Sequence, residues 1–117
     1  MDYRLAHAGR FRVIDIQQDI AVTSDISELR VLVREQLAGQ APYIALRFTR
    51  ESYLCSGNVT VLVACFEMIR ERRGELAIID PNPIIRHLLT VIDLDGAIRV
   101  VDTEEDLARA GHAAASR

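Results

Sequence analysis

The residues Cys55, Ser56, Gly57 and Asn58 form the most chemically suggestive group, because a thiol and a hydroxyl stand together where a helix is predicted to begin. The first N–H groups of a helix are unpaired and its dipole is positive there, so that a thiolate or a phosphate is stabilised. Cys55 could therefore carry redox chemistry, and Ser56 could accept a phosphate. The plainer interpretations are an inert, buried Cys55 and a Ser56 that only caps the helix.

Other residue types that carry catalysis or bind cofactors are scattered along the sequence. The six glycines form no phosphate-binding loop of the G-x-G-x-x-G or G-x-x-x-x-G-K-[ST] type. The histidines have neither H-x-x-x-H spacing nor paired carboxylates, and the two cysteines, Cys55 and Cys65, do not have metal-ligand spacing. The sequence predicts a protein that is not an enzyme and that has no cofactor or metal. Redox chemistry at Cys55 is the alternative from the enzyme class.

Composition limits the chain to one small globular domain. It has 117 residues, of which 50% are hydrophobic and 26% are charged. The net charge of −3 argues against nucleic-acid binding, which leaves a basic footprint. The longest apolar run, Val61 to Phe66, is far shorter than the roughly 20 residues of a membrane-spanning helix. The N-terminus lacks the pattern of a signal peptide, so that the predicted location is the cytoplasm.

Strands and helices are predicted to alternate through short loops. The predicted strands lie at about 3–7, 11–17, 43–48, 75–79 and 98–101, with the first two forming a hairpin. The predicted helices begin after Ser24, at Cys55–Asn58, after Asn82 and after Thr103, and they end near Gly39, Arg73, Ile92 and Ala110–Gly111. This order predicts an α/β domain over residues 1–111, with a mixed, mostly parallel sheet of about five strands covered by about four helices. Residues 112–117 are predicted to form a flexible tail.

The second predicted helix has an unusually wide apolar arc. One stripe, which is expected to face the sheet, comprises Val59, Leu62, Phe66 and Ile69. An adjacent stripe comprises Val61, Ala64 and Met68. Either a neighbouring helix covers this second stripe or a partner protein binds to it.

The segment from Tyr53 to Val63, together with its sequel, resembles the STAS family, a domain shared by anti-sigma-factor antagonists and the cytosolic tails of sulfate transporters. The family has an apolar strand, then Asp-Ser-Ser/Thr-Gly, then an apolar helix, and later a Gly-Gly-Glu-Leu turn that is similar to Gly74-Glu75-Leu76. This alignment places Ser56 on the phosphorylated serine, Cys55 on the Asp, and Gly57 and Asn58 on the next two positions.

The likeness extends from about Phe11 to Ala110. The segment Asn82–Leu89 is similar to the third helix of the family, and Thr103–Leu107 is similar to the final one. Two acids that are usual in the family are replaced here, one by Cys55 and one in the preceding strand by Arg47. Arg47 could pair with a phosphate, with an acidic partner residue, with Glu51 or with Asp15.

The resemblance implies an anti-sigma-factor antagonist that acts by partner switching. The implied partner is an anti-sigma factor with a histidine-kinase-like ATPase fold, which phosphorylates Ser56 and releases the domain; a serine phosphatase would reset it. Gly57 and Asn58 would shape the loop of Ser56. The implied partner surface comprises Asp19, Thr23, Ser24, Cys55, Ser56, Gly57, Asn58, Val61, Ala64 and Met68. The alternative is a non-phosphorylated adaptor or an oligomeric scaffold subunit of a sensory assembly, and homodimer formation stays open.

Overall fold

Five strands and four helices alternate in the computed structural model of the protein, which describes residues 1–39, 42–94 and 96–115. The strands are β1 (Tyr3–Ala8), β2 (Phe11–Ile16), β3 (Tyr43–Arg47), β4 (Glu75–Ile79) and β5 (Arg99–Val101). The helices are α1 (Glu28–Gly39), α2 (Ser56–Glu71), α3 (Pro83–Val91) and α4 (Glu104–Ala115). The predicted α/β fold class is confirmed.

The strands form one sheet in the order β1-β2-β3-β4-β5. β1 is antiparallel to β2, and the remaining neighbours are parallel, as predicted for a mixed, mostly parallel sheet. The hairpin between β1 and β2 turns through Gly9, which has a φ of +61°. A Cβ atom at Gly9 would also lie 2.9 Å from the Cα atom of Ala108 on α4, so that both backbone conformation and space favour glycine there.

The sheet separates two apolar layers, because successive side chains of a strand point to opposite faces. One face carries the larger core, in which Ile14, Leu46 and Ile78 pack with residues of α1, α2 and α3. The other face is closed by α4, whose fully buried Leu107 packs with the smaller core. That core comprises Ala8, Phe11, Val13, Ala45, Ala77, Ile79 and Leu107.

The predicted start of α1 after Ser24 is wrong, since α1 begins at Glu28. Local bonds from polar side chains to the backbone hold the preceding residues in turns instead. The Oγ atom of Ser24 accepts from the N–H of Ala21, and Oδ1 of Asp25 accepts from the N–H of Ser27. The backbone and hydroxyl of Ser27 both hydrogen-bond the Asp25 carboxylate and lower its pKa.

The other helix starts agree with the sequence patterns. Oδ1 of Asn82 accepts from the N–H of Ile85 at α3, and Oγ1 of Thr103 accepts from the N–H of Asp106 at α4. α4 continues to Ala115, beyond the predicted end at Ala110–Gly111. The flexible tail at 112–117 stays a prediction, and its last residues, 116 and 117, lie outside the described residues.

α2 ends in a hydrogen-bonded cap that turns the chain into β4. The N–H of Gly74 donates to the carbonyl of Ile69, and the N–H of Arg73 donates to the carbonyl of Arg70. This is the Schellman pattern, in which the residue that makes the shorter of the two bonds along the chain normally adopts a left-handed conformation. Here that residue is Arg73, with a φ of +59°, and the glycine follows it.

Candidate functional site

Three loops meet where the parallel strands of the sheet end, and we call them the carboxyl-edge loops. They are residues 17–27 after β2, 48–55 after β3 and 80–82 after β4. Because these strands are parallel, their carboxyl ends lie at the same edge, which is where open α/β sheets bind their ligands. The predicted phosphoacceptor, Ser56, immediately follows the second of these loops.

A chain of hydroxyl groups ties the first two carboxyl-edge loops together. Oγ1 of Thr49 donates to Oδ1 of Asp19 over 2.6 Å and lies 2.7 Å from Oγ of Ser52. Since the Thr49 proton is directed to the carboxylate, the Ser52 hydroxyl donates to Thr49. Oγ of the buried Ser52 also accepts from the N–H of Ile20. The carboxylate of Asp19 therefore helps to join the first loop to the second.

The third carboxyl-edge loop is joined by Asn82. While its Oδ1 atom caps α3, its Nδ2 atom donates to the carbonyls of Arg50 and Ser52 over 3.1 and 2.8 Å. The side chain is buried, and its bonds to Ser52 and Ile85 are shielded from water, whereas the bond to Arg50 is partly buried. One amide thus joins the start of α3 to the loop that leads into α2.

Asn58 joins the start of α2 to the first loop. Its Oδ1 atom accepts from the N–H of Ile26 over 3.3 Å, and its Nδ2 atom donates to the carbonyl of Ser24 over 3.1 Å. Gly57 and Asn58 belong to the first turn of α2, so that the expectation that they shape a loop around Ser56 is wrong. Asn58 is 3% exposed and acts as a buried brace.

Ser56 is the first residue of α2, and it is exposed. The residue at the N-cap is Cys55, which has extended backbone angles and makes no capping hydrogen bond through its side chain. The interpretation that Ser56 caps the helix is therefore wrong. Its hydroxyl stands at the positive end of a 16-residue helix, where the first N–H groups have no acceptor within the helix.

This architecture matches solved structures of anti-sigma-factor-antagonist domains. An anti-sigma-factor antagonist (STAS) domain protein from Planctomyces limnophilus superposes with a TM-score of 0.78 at 18% identity, over 94% of this chain and 97% of that one. A candidate anti-sigma factor antagonist from Thermotoga maritima has a TM-score of 0.70 at 19% identity, over 93% and 92% of the two chains. The chain has the STAS fold. No family model and no curated protein matches the sequence.

The STAS fold of this chain carries exposed apolar side chains around the carboxyl-edge loops. Val22 is 61% exposed, Tyr53 is 43% exposed, and Ile84 at the start of α3 is 55% exposed. No sequence pattern marks these three residues as exposed. Thr23 and Ser56 are exposed as well, so that apolar and polar side chains are both exposed in and next to these loops.

The second apolar stripe of α2 is partly covered by the protein itself. Val61 is buried in the larger core, and the half-buried Met68 packs against that core. α1 packs against α2, as the first of the two alternatives requires. Val61 is therefore unavailable to a partner, whereas Ala64 and Met68 stay half-buried.

Arg47 lies on the α4 face of the sheet and not beside Ser56. Its NH1 atom is 3.9 Å from the buried Asp15 carboxylate and 3.5 Å from the carboxylate of Glu104 on α4. Arg4 also pairs with Asp15, over 3.5 Å. Among the alternatives for Arg47, the structure supports the ion pair with Asp15 and adds Glu104.

A shallow cavity of about 430 Å³ lies between the ends of β2, β3 and β4. Its charged lining residues already form ion pairs, since Arg50 lies 3.1 Å from Asp80 and Arg47 faces Asp15. Within residues 1–39, 42–94 and 96–115, no group of side chains is arranged to hold a metal ion. The helices in this part of the chain are too short or too polar to span a bilayer.

The two cysteines are expected to differ strongly in reactivity. Cys65 is fully buried in the larger core, and burial raises the pKa of its thiol to about 12. Cys55 is half-buried at the start of α2. In the folded protein at pH 8, we expect a disulfide reagent such as DTNB to modify Cys55 alone, since thiolates are the reactive species. In denaturant both thiols should react.

Cys55→Ala provides the control for this measurement, because it should leave a folded protein without a fast-reacting thiol. Two thiols that react equally fast in the folded wild type would contradict the burial of Cys65.

Proposed function

We propose that this STAS-fold chain is an anti-sigma-factor-antagonist-like regulator that binds an anti-sigma factor with serine kinase activity and is released when Ser56 is phosphorylated. The observation that carries the proposal is the exposed hydroxyl of Ser56, which the helix does not use as a cap. It stands beside loops that carry exposed apolar side chains, as a protein-binding surface requires.

The hydrogen bonds of the carboxyl-edge loops favour binding by pre-organisation. Ser52, Asn58 and Asn82 join loops that are about thirty residues apart in the chain, with hydrogen-bond separations of 30 to 34 residues. A surface that is already ordered loses less conformational entropy when a partner binds. In the proposed complex, Tyr53 and Ile84 supply apolar contact area, and Thr23 and Ser56 supply polar contacts.

The position of Ser56 explains how one modification could release the partner without unfolding the domain. A phosphoserine carries a charge of about −1.5 to −2 at pH 7. At the first position of α2, the dipole and the unpaired N–H groups stabilise that charge in the free protein. In the complex the same charge would have to be desolvated against a partner that fits a neutral hydroxyl, which weakens binding.

The test is affinity capture from the native host with the baits Ser56→Ala and Ser56→Asp, with bound proteins identified by mass spectrometry. We expect an ATPase of the histidine-kinase-like fold on the alanine bait and at least a tenfold loss of it on the aspartate bait. Thr90→Asp is the matched control, since it adds the same charge at an exposed helical residue near the far end of α3. Equal capture of the ATPase by Ser56→Ala and Ser56→Asp would contradict the switching mechanism.

A second candidate is an adaptor or scaffold subunit that uses the same surface without phosphorylation. It is favoured by the replacement of the two expected acids, because Cys55 replaces one, and Arg47, which pairs with Asp15 and Glu104, replaces the other. Incubation of the protein with its captured kinase and ATP separates the two candidates. Incorporated phosphate that disappears in Ser56→Ala supports the switch, and no incorporation supports the adaptor.

A further inference from the structure

The outer edge of β1 has hydrogen-bonding groups available for another strand. β1 is the terminal strand of the sheet, and among the described residues no strand pairs with its outer side. The hairpin turns through two residues, which makes Ala8 and Phe11 a hydrogen-bonded pair. Asp2 and Gln17 are bonded as well, since the N–H of Gln17 donates to the carbonyl of Asp2. Bonded pairs alternate with non-bonded pairs along an antiparallel ladder, so that the even-numbered residues of β1 bond to β2. The backbone groups of Tyr3, Leu5 and His7 therefore point to the open edge.

The side chains of these three residues also share one face of the strand, because they alternate with residues that contact α4. Tyr3 and Leu5 are each 38% exposed, and His7 is exposed as well. Two of the devices that usually protect an edge, a proline and a bulge, are absent from β1 in its register with β2. Its charged residue, Arg4, points to the opposite face and pairs with Asp15.

We propose that β1 is the interface of a homodimer in which two copies pair antiparallel, with Leu5 opposite Leu5 of the second copy. This register places Tyr3 opposite His7 in both directions and forms two hydrogen bonds at each of the three pairs. The two sheets then continue into one, and Arg4 lies opposite Ala6, where it can keep its ion pair with Asp15.

Neighbouring registers are less favourable for identifiable reasons. A shift by one residue sets outward-pointing backbone groups against groups that are already bonded to β2. A shift by two residues in one direction places Arg4 directly opposite Arg4, and like charges in that position are destabilising. A shift by two in the other direction pairs Tyr3 with Gly9 in the hairpin turn. Self-complementarity therefore selects a second copy of this chain as the occupant.

The dimer does not depend on the proposed function, since β1 shares no residue with α2 or the carboxyl-edge loops. The test uses the fact that residue 5 would face itself across the two-fold axis. Sedimentation equilibrium would be run on the wild type, on Leu5→Lys, on Leu5→Glu and on an equimolar mixture of the two variants. Val31→Lys is the control, because it adds the same charge at an exposed apolar residue of α1.

We expect dimers for the wild type and Val31→Lys, monomers for each Leu5 variant alone, and dimers again in the mixture. Circular dichroism of the monomeric variants should match the wild type, since the mutated side chain is exposed. A wild type that stays monomeric at millimolar concentration would overturn the proposal. So would dimers that persist in both single variants, or a mixture that stays monomeric.

Discussion

Replacement of Gly74 by alanine is expected to lower the free energy of unfolding by more than about 4 kcal/mol, which is exceptional for one methyl group. A Cβ atom at Gly74 would lie 1.7 Å from the carbonyl oxygen of Pro42 and 2.7 Å from its carbonyl carbon. That oxygen accepts the hydrogen bond from the N–H of Glu75 with which the pairing of β3 and β4 begins. The methyl group would therefore force apart two neighbouring interior strands of the sheet.

Urea unfolding followed by circular dichroism measures this effect, with Gly39→Ala as the matched control. Among the described residues, no atom beyond the adjacent residues and the local helix backbone lies within 4 Å of a Cβ placed at Gly39, the last residue of α1, so that this alanine should be neutral or slightly stabilising. Comparable midpoints for the two variants would show that the chain at Pro42 can move aside.

The second large effect is expected for Asn82→Ala, at about 3 kcal/mol. The substitution removes the cap of α3 and leaves the carbonyls of Arg50 and Ser52 without their amide donor. Because Asn82 is buried, water cannot readily replace these bonds. We therefore expect faster amide hydrogen exchange in the carboxyl-edge loop 48–55 as well as lower global stability.

Asn82→Ser separates the two roles of this side chain. A serine hydroxyl can still accept from the N–H of Ile85, but it cannot reach both carbonyls as the amide does. It should recover about 1 kcal/mol of the loss and leave the exchange in loop 48–55 fast. If Asn82→Ala changes stability without changing that exchange, Asn82 is only a helix cap.

The fold was predictable from the sequence because its main signals are local. A short, continuous apolar run identified the strand Glu75–Ile79, and short motifs such as Asn82-Pro83 identified helix starts. The order of strands and helices then indicated a mostly parallel sheet. The start of α1 was misplaced because Ser24 and Asp25 are as suitable for turns as for helix caps. In the structure their side chains accept hydrogen bonds from nearby backbone N–H groups and so stabilise turns.

The candidate site was less predictable because its hydrogen bonds join residues that are distant in the chain. Asn58 meets Ser24 across 34 positions, and no local pattern marks an asparagine as a brace of that kind. The role of Arg47 depended on which face of β3 it occupies and on the position of Glu104 in the last helix. Exposure of Tyr53 and Ile84 likewise follows from tertiary packing and not from their residue types.

The closure of the second sheet face by α4 has a consequence for synthesis on the ribosome. Each of β2 to β5 is adjacent in the sheet to the strand before it in the chain, so that the sheet can grow as the polypeptide emerges. Leu107 and the rest of α4 follow all five strands. At about 5–20 residues per second, the nascent sheet therefore leaves Phe11, Val13 and Ile79 uncovered until α4 arrives, an interval in which chaperones could bind.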